Sequence, residues 1–346
     1  MIEKMYAEYA WEKAEALLAI DSPSGYTAKA AAWVKQAFEN LGFIAKLTNK
    51  GGVLVDLGGK DENDGLMLQA HTDTLGCMVA EIKGNGRLRV TNLGGQNANN
   101  SQGENVWVYT RDGKVIDGTM QLCNASLHVN PEFHTVKRDW NSLEVVLDED
   151  VRSAADTRKL GIEVGDIVCL DTRTRRTSSG YLKSRYLDDK LCVGILLGFA
   201  KYLKDNEIVP ARKTWAHITV YEEVGHGGAG SNPDGLTEVI AVDMGCVGDG
   251  LQCTEKTVSF CAKDTHGPYS YDMITKLIAA ARKNHADYVV DVYPFYGSDA
   301  EATLTAGFDV RHAVIGPGVY ASHGYERSHI DGVYNTLKVL AGYLDV

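Results

Sequence analysis

Apolar positions in residues 3–20 recur at helical spacing until Asp21-Ser-Pro-Ser-Gly interrupts them, and a second helical pattern over residues 27–41 ends at Gly42. Short apolar runs then follow: Phe43-Ile-Ala-Lys-Leu, Val53-Leu-Val-Asp-Leu and Leu66-Met-Leu-Gln-Ala. Bounded by Gly, Asn and Asp, they predict strands. After Gly76 the pattern changes to short strand-like runs separated by turn signals such as Arg-Asp-Gly-Lys, with one short helical candidate at 149–160. Helix-length patterns return at 190–204, 270–283 and 330–344, with strand patterns at 215–221 and 238–242. The alternation predicts an α/β fold: a mixed, mostly parallel sheet flanked by helices, interrupted by a small β-barrel-like insertion. The boundaries expected are 1–75 and 176–346 for the α/β domain and 76–175 for the insertion.

Composition narrows the class. Lys and Arg total 35 against 46 Asp and Glu, a net charge of -11. That balance opposes binding to nucleic-acid phosphates or anionic lipid. Mean hydropathy is -0.20, and no run of 18 apolar residues predicts a membrane span. The first residues, Met1-Ile-Glu-Lys-Met-Tyr-Ala-Glu, lack the basic and apolar segments of a signal peptide, so a cytoplasmic chain is expected. Seven dispersed cysteines with no CxxC pair suggest reduced thiols and argue against a zinc knuckle. A metal here would be held by His and carboxylates.

Five segments could carry chemistry. His71-Thr-Asp73 follows the strand pattern ending at Ala70, where an imidazole could bind a metal while Asp73 holds its other N–H. Asp188-Asp189 precedes an apolar helix and could serve as a cap or as a bridge between cations. Glu222-Glu223 closes an apolar strand before a Gly-rich exit, and adjacent acids raise each other's pKa unless neutralised. Asp243 ends Val239-Ile-Ala-Val. A loop holds His323, Glu326 and His329. Each segment alone also fits a turn or a cap. Together, all-His/carboxylate ligation suits Zn, Co or Mn in a two-metal hydrolytic site.

In order, these segments resemble the cocatalytic dinuclear-metal aminopeptidases, the family of glutamyl and deblocking aminopeptidases and tetrahedral dodecameric peptidases (metallopeptidase family forty-two). Ala70-His-Thr-Asp-Thr-Leu-Gly76, Leu187-Asp-Asp-Lys, Tyr221-Glu-Glu-Val-Gly-His-Gly-Gly-Ala229, Ala241-Val-Asp243 and Gly297-Ser-Asp-Ala300 carry the likeness, and Leu160–Val168 resembles the end of the family's inserted β domain. The resemblance implies a zinc-exopeptidase-like fold. It implies two divalent ions, Zn or Co with Mn as a further choice. His71 and Asp243 would hold one, Glu223 and His323 the other, and Asp188 would bridge them. Asp73 would orient His71, and Glu222 would be the general base. Short peptides would be the substrates, and the insertion would mediate a dimer-based homo-oligomer, up to a dodecamer, through an exposed apolar patch.

The sequence departs from the family pattern in three places. Lys190 stands where Arg is usual. Gly227 stands where a basic residue is usual, leaving Arg311 and Arg327 to serve any acidic substrate. The family's Arg-Tyr-x-His-Ser-x-x-Glu segment is here Val319-Tyr-Ala-Ser-His323-Gly-Tyr-Glu326, with His displaced by one, so His329 and, more remotely, His312 compete with His323 as the last ligand. The same metal pair would also serve an amidohydrolase acting on a small N-acylated amino acid or dipeptide, or a metal-binding scaffold without turnover. A glycosidase would instead need two carboxylates without metal.

Overall fold

A computed structural model describes residues 2–346. The chain forms two compact units: one runs to Asp73 and resumes at Arg173, and the other is Thr74–Thr172.

The first unit is built on a 12-stranded mixed sheet. Four strands run parallel at its centre, in the order Arg212–Thr219, Asp61–His71, Leu236–Val242 and Arg311–Tyr320. Antiparallel neighbours extend it: Val53–Gly58 pairs with Arg212–Thr219, and Val258–Lys263 pairs with Arg311–Tyr320. The central strands are covered on both faces, so they read as continuous apolar runs; Leu66 to His71 is buried at every position. Register places Thr219 beside His71, Ala241 beside Gln69 and Val242 beside Ile315. The carboxyl ends of the parallel strands therefore emerge at one level, where ligands bind in open α/β sheets.

Strand Arg311–Tyr320 runs through Gly316-Pro-Gly318. A Cβ at Gly316 would collide with the carbonyl oxygen of Asp243, and one at Gly318 with that of Thr254. The glycines mark close backbone approach inside a sheet, the alternative meaning of glycine in a strand.

Helix Leu187–Asp205 is buried almost all round, consistent with its lack of a polar face. Gly194 and Gly198 face helix Met5–Leu18, where a Cβ on Gly198 would lie 2.7 Å from Tyr6 O and 2.9 Å from Ala10 Cβ. Ala10 and Ala14 are the small residues opposite. Buried Lys190 donates to the carbonyls of Leu17 (3.2 Å) and Ile20 (2.5 Å). A cation thus ends the Met5–Leu18 helix where its dipole is negative, which gives Lys190 a structural duty of its own.

The second unit is a closed antiparallel barrel of six strands, ordered Gly76–Ile82, Leu88–Leu93, Leu143–Leu147, Val115–Leu122, Asn105–Tyr109 and Ile167–Leu170. Alternate residues point inward, as in Val115–Leu122, where Ile116, Gly118, Met120 and Leu122 are buried. Both expected architectures, the helix-flanked mixed sheet and the small barrel, are present.

Replacing Gly194 by Val should overpack the contact between the two helices and cost about 1–3 kcal/mol. Gly84→Ala, where a Cβ meets nothing within 4 Å, serves as the control. Urea unfolding of both variants measures the difference.

Candidate metal centre

The residues singled out from the sequence meet at the carboxyl ends of the parallel strands. Strand Asp61–His71 delivers His71, and Asp243 follows directly on Leu236–Val242. After Arg212–Thr219 the chain turns through Tyr221 at φ 71° into a short 3-10 turn, Glu222–Val224, and leaves through Gly225 at φ 86°. Asp188 and Asp189 have non-helical backbone angles at the start of Leu187–Asp205, and the peptide bond between them is cis. His323, at φ 60°, sits in the turn between Arg311–Tyr320 and Glu326–His329.

Asp188 is the hub. Its Oδ1 lies 3.1 Å from His71 Nε2, and its Oδ2 lies 3.6 Å from His323 Nε2. His323 Nε2 is also 3.6 Å from Glu223 Oε2. Two groups of donor atoms result, each mutually within 4.8 Å: His71, Asp188 and Asp243, and Asp188, Glu223 and His323. They share Asp188. Glu222 belongs to neither, yet its Oε2 lies 3.7 Å from His71 Nε2.

The donor set fits divalent cations. Buried Glu223 Oε1 has no hydrogen-bond partner, and an unsatisfied buried carboxylate oxygen is costly unless something positive meets it. His71 Nδ1 donates to the Asp73 carbonyl at 2.9 Å, which leaves Nε2 as the free lone pair. Burial, then the charges of Asp243, Asp299 and Glu223, push Glu222 well above the usual carboxylate range. Burial and Asp188 push Asp243 up to about 7. Asp188 goes the other way: against its burial, hydrogen bonds from His323 and His71 hold it low. His323 overcomes its own burial through Asp188 and Glu223 and rises to about 10.

The contacts of several supporting groups carried no legible signal. Asp73 touches more than His71. Its carboxylate accepts from the backbone N–H of Glu222 (3.1 Å) and Glu223 (3.4 Å) and from Ser24 Oγ at 2.5 Å. It therefore ties the His71 strand to the Glu222-Glu223 turn. Asp189 Oδ2 accepts from His71 N at 3.2 Å. Buried Glu326 accepts from His323 N (2.9 Å) and from Asp188 N (3.1 Å), one carboxylate oxygen for each segment. Asp299 accepts from Gly228 N at 2.6 Å and from the Thr219 hydroxyl. All four stood in or beside matched motifs, but only Asp73 carried a predicted role.

The competing residues lie elsewhere. His329 is committed to helix capping: its Nδ1 accepts from Asp331 N at 3.1 Å, and Nε2 lies 3.0 Å from Ser179 O. His312 is stacked at a tilt on Tyr269, near the opposite end of its strand. Arg311 pairs with Glu238 and Arg327 with Glu255, both at 2.9 Å.

A helix-flanked sheet with this His/carboxylate cluster at its strand ends has the form of a metallo-exopeptidase. Residues 51–339 match the family model described as M42 glutamyl aminopeptidase. The chain is 40% identical over 328 residues to a Bacillus subtilis protein named "Putative aminopeptidase YhfE", covering 95% of each. Its fold is that of an aminopeptidase from the archaeon Desulfurococcus kamchatkensis (TM-score 0.86, 21% identity, 98% of this chain and 95% of that one). The same holds for the Pyrococcus horikoshii TET1 peptidase (TM-score 0.84, 22% identity, 96% and 98%), which can assemble into a tetrahedron or a large octahedral shell. The chain belongs to the M42 aminopeptidase family, and it is a metallo-aminopeptidase.

Two measurements follow from the geometry. Metal binding must displace protons held by His323 and Asp243, so affinity should weaken as pH falls from 8 to 6, by about tenfold per pH unit for each proton displaced. Calorimetry in buffers of different ionisation enthalpy reads both affinity and proton release. Glu326→Gln puts an amide N–H₂ where one backbone N–H now finds an acceptor, and should cut metal affinity by about 10–100-fold. Unchanged affinity would mean that the two ligand segments hold their places without it.

Proposed function

We propose that the protein removes N-terminal residues from short peptides, using two divalent cations, with Glu222 as general base. The observation that carries this reading is the pair of donor groups sharing Asp188, with Glu222 beside His71 of the first group and part of neither. His71 and Asp243 would hold one cation, Glu223 and His323 the other, and Asp188 both. Zn and Co suit these ligands, and Mn is compatible. Bound there, the cations supply Lewis-acid polarisation of the scissile carbonyl and a water acidic enough to ionise near neutral pH.

The remaining work belongs to this chain's own residues. Glu222, raised in pKa by burial and neighbouring acids, takes a proton from the attacking water and returns it to the leaving amine. Asp73 holds the Glu222 and Glu223 amides in place, so base and ligand keep one relative position. The surplus of carboxylates offers partners to a free substrate ammonium, which suits removal of terminal residues over internal cleavage.

We also propose a homo-oligomer that works in the cytoplasm. The assembly of the Pyrococcus horikoshii TET1 peptidase supports the first, as do Leu127 and Val129 of the barrel unit, each more than half exposed. The free state of all seven cysteines supports the second, and no helix among the described residues is long and apolar enough to cross a membrane.

Glu222→Gln should retain both metals and lose about 100- to 10,000-fold in kcat. Full turnover in the metal-loaded variant would end the role of Glu222. Chelation should abolish hydrolysis, and Zn, Co or Mn should restore it. N-acetylation of a good substrate should also abolish cleavage, whereas an acyl-amino-acid hydrolase would prefer the acetylated form.

A further inference from the structure

The metal centre opens on a cavity of about 830 Å³ within the first unit. On the aminopeptidase reading, the scissile bond lies at the centre and the substrate's N-terminal side chain extends into this space. The lining contains neither lysine nor arginine. Beyond the centre's own acids, its apolar contributors include Met244, Phe295, Ala302 and Ala306, with Phe295 90% exposed.

Gly227 shows why no cation is present. A Cβ there would collide with Asp299 Oδ1 and come within 2.9 Å of Glu222 N. The space a basic side chain would enter is filled by a carboxylate, itself held by Gly228 N and Thr219. The nearby cation is Lys50, whose Nζ is used on the carbonyls of His226, Gly227 (2.7 Å) and Ala229 (3.1 Å). Three acceptors occupy its three donors.

Glu301, on this wall, and Asp264, outside the lining, are also occupied. Asp264 accepts from the Tyr269 hydroxyl (2.5 Å) and from His266 N (2.9 Å). Glu301 accepts from Ser298 N at 3.3 Å in the capping box of its helix. Burial and Asp264 push Glu301 up to about 8. An acidic substrate side chain would find no lysine or arginine in the lining, whose basic side chains are the imidazoles of His226, His266 and His323, and a basic one would find the Glu301 carboxyl already used.

We propose that this cavity takes N-terminal residues with large uncharged, apolar side chains and rejects aspartyl and glutamyl ones, the rejection being set by Gly227 and the Asp299 carboxylate that fills its side-chain space. Specificity then departs from the glutamyl preference in the family's description. An acidic side chain entering without a partner leaves a charge desolvated and unpaired, which favours discrimination of about 100-fold or more.

The test uses the metal-loaded, full-length enzyme and the p-nitroanilides of Leu, Met, Phe, Glu and Lys, with kcat/KM as the readout. The expected result is Leu, Met or Phe above Glu by at least about 100-fold, and above Lys by at least about tenfold. Glu301→Lys should raise the Glu substrate at least about tenfold relative to Leu by placing a cation on the wall. If that variant does not fold, the wild-type panel still decides. Glu hydrolysed as well as Leu would overturn the rejection, and Lys hydrolysed best would overturn the apolar preference; either would leave the aminopeptidase reading intact. No hydrolysis of any free-amine substrate by metal-replete protein would overturn that reading and this proposal together.

Discussion

Buried negative charge is the constraint around which the first unit is organised. Asp188, Asp189, Glu222, Glu223 and Asp243 converge at the ends of the parallel strands, and the groups facing them at ion-pair distance are the imidazoles of His71 and His323. Such a cluster is expensive to desolvate without protons or cations. The shifts show how the chain without bound ions meets the cost: Glu222, Glu223 and Asp243 rise towards the neutral form while the imidazoles hold extra protons. Divalent cations would replace those protons. The same desolvation that is unfavourable in their absence strengthens their binding.

Precision then comes from carboxylates that accept backbone N–H groups. Asp73 joins the His71 strand to the Glu222-Glu223 turn, Glu326 joins the Asp188 and His323 segments, and Asp299 anchors the Gly-rich exit. Each accepts backbone N–H groups from a different part of the chain. The positions of Glu222 and of the two donor groups therefore depend on main chain held at both ends, a more rigid arrangement than side-chain contacts alone would provide.

The departures from the family pattern acquire physical reasons in this setting. Lys190 is taken up by the end of helix Met5–Leu18, and Gly227 is required by Asp299. The one-residue displacement of His323 coincides with a left-handed backbone at that residue, which turns its ring towards Asp188 and Glu223. His329, three residues beyond the end of the motif, is used to start a helix.

Much of this was legible in one dimension because its causes are local. Apolar spacing set the helices at each end and the strand Leu66–Ala70, and the order of His71, Asp188, Glu222-Glu223, Asp243 and His323 pointed to a metal centre without cysteine. What stayed hidden depends on segments that meet only after folding. Gly316-Pro-Gly318 gave no strand signal, because turn-forming residues and close-packed strand glycines look alike without the Asp243 carbonyl beside them. Glu326 read as one acid in a loop because its two partners lie 3 and 138 residues away. The sequence by itself determined which residue types could bind cations and on which elements they sit. Only the tertiary structure decided which His completes the second donor group, and that the Asp299 carboxylate fills the space beside Gly227, because both depend on the space between segments distant in the chain.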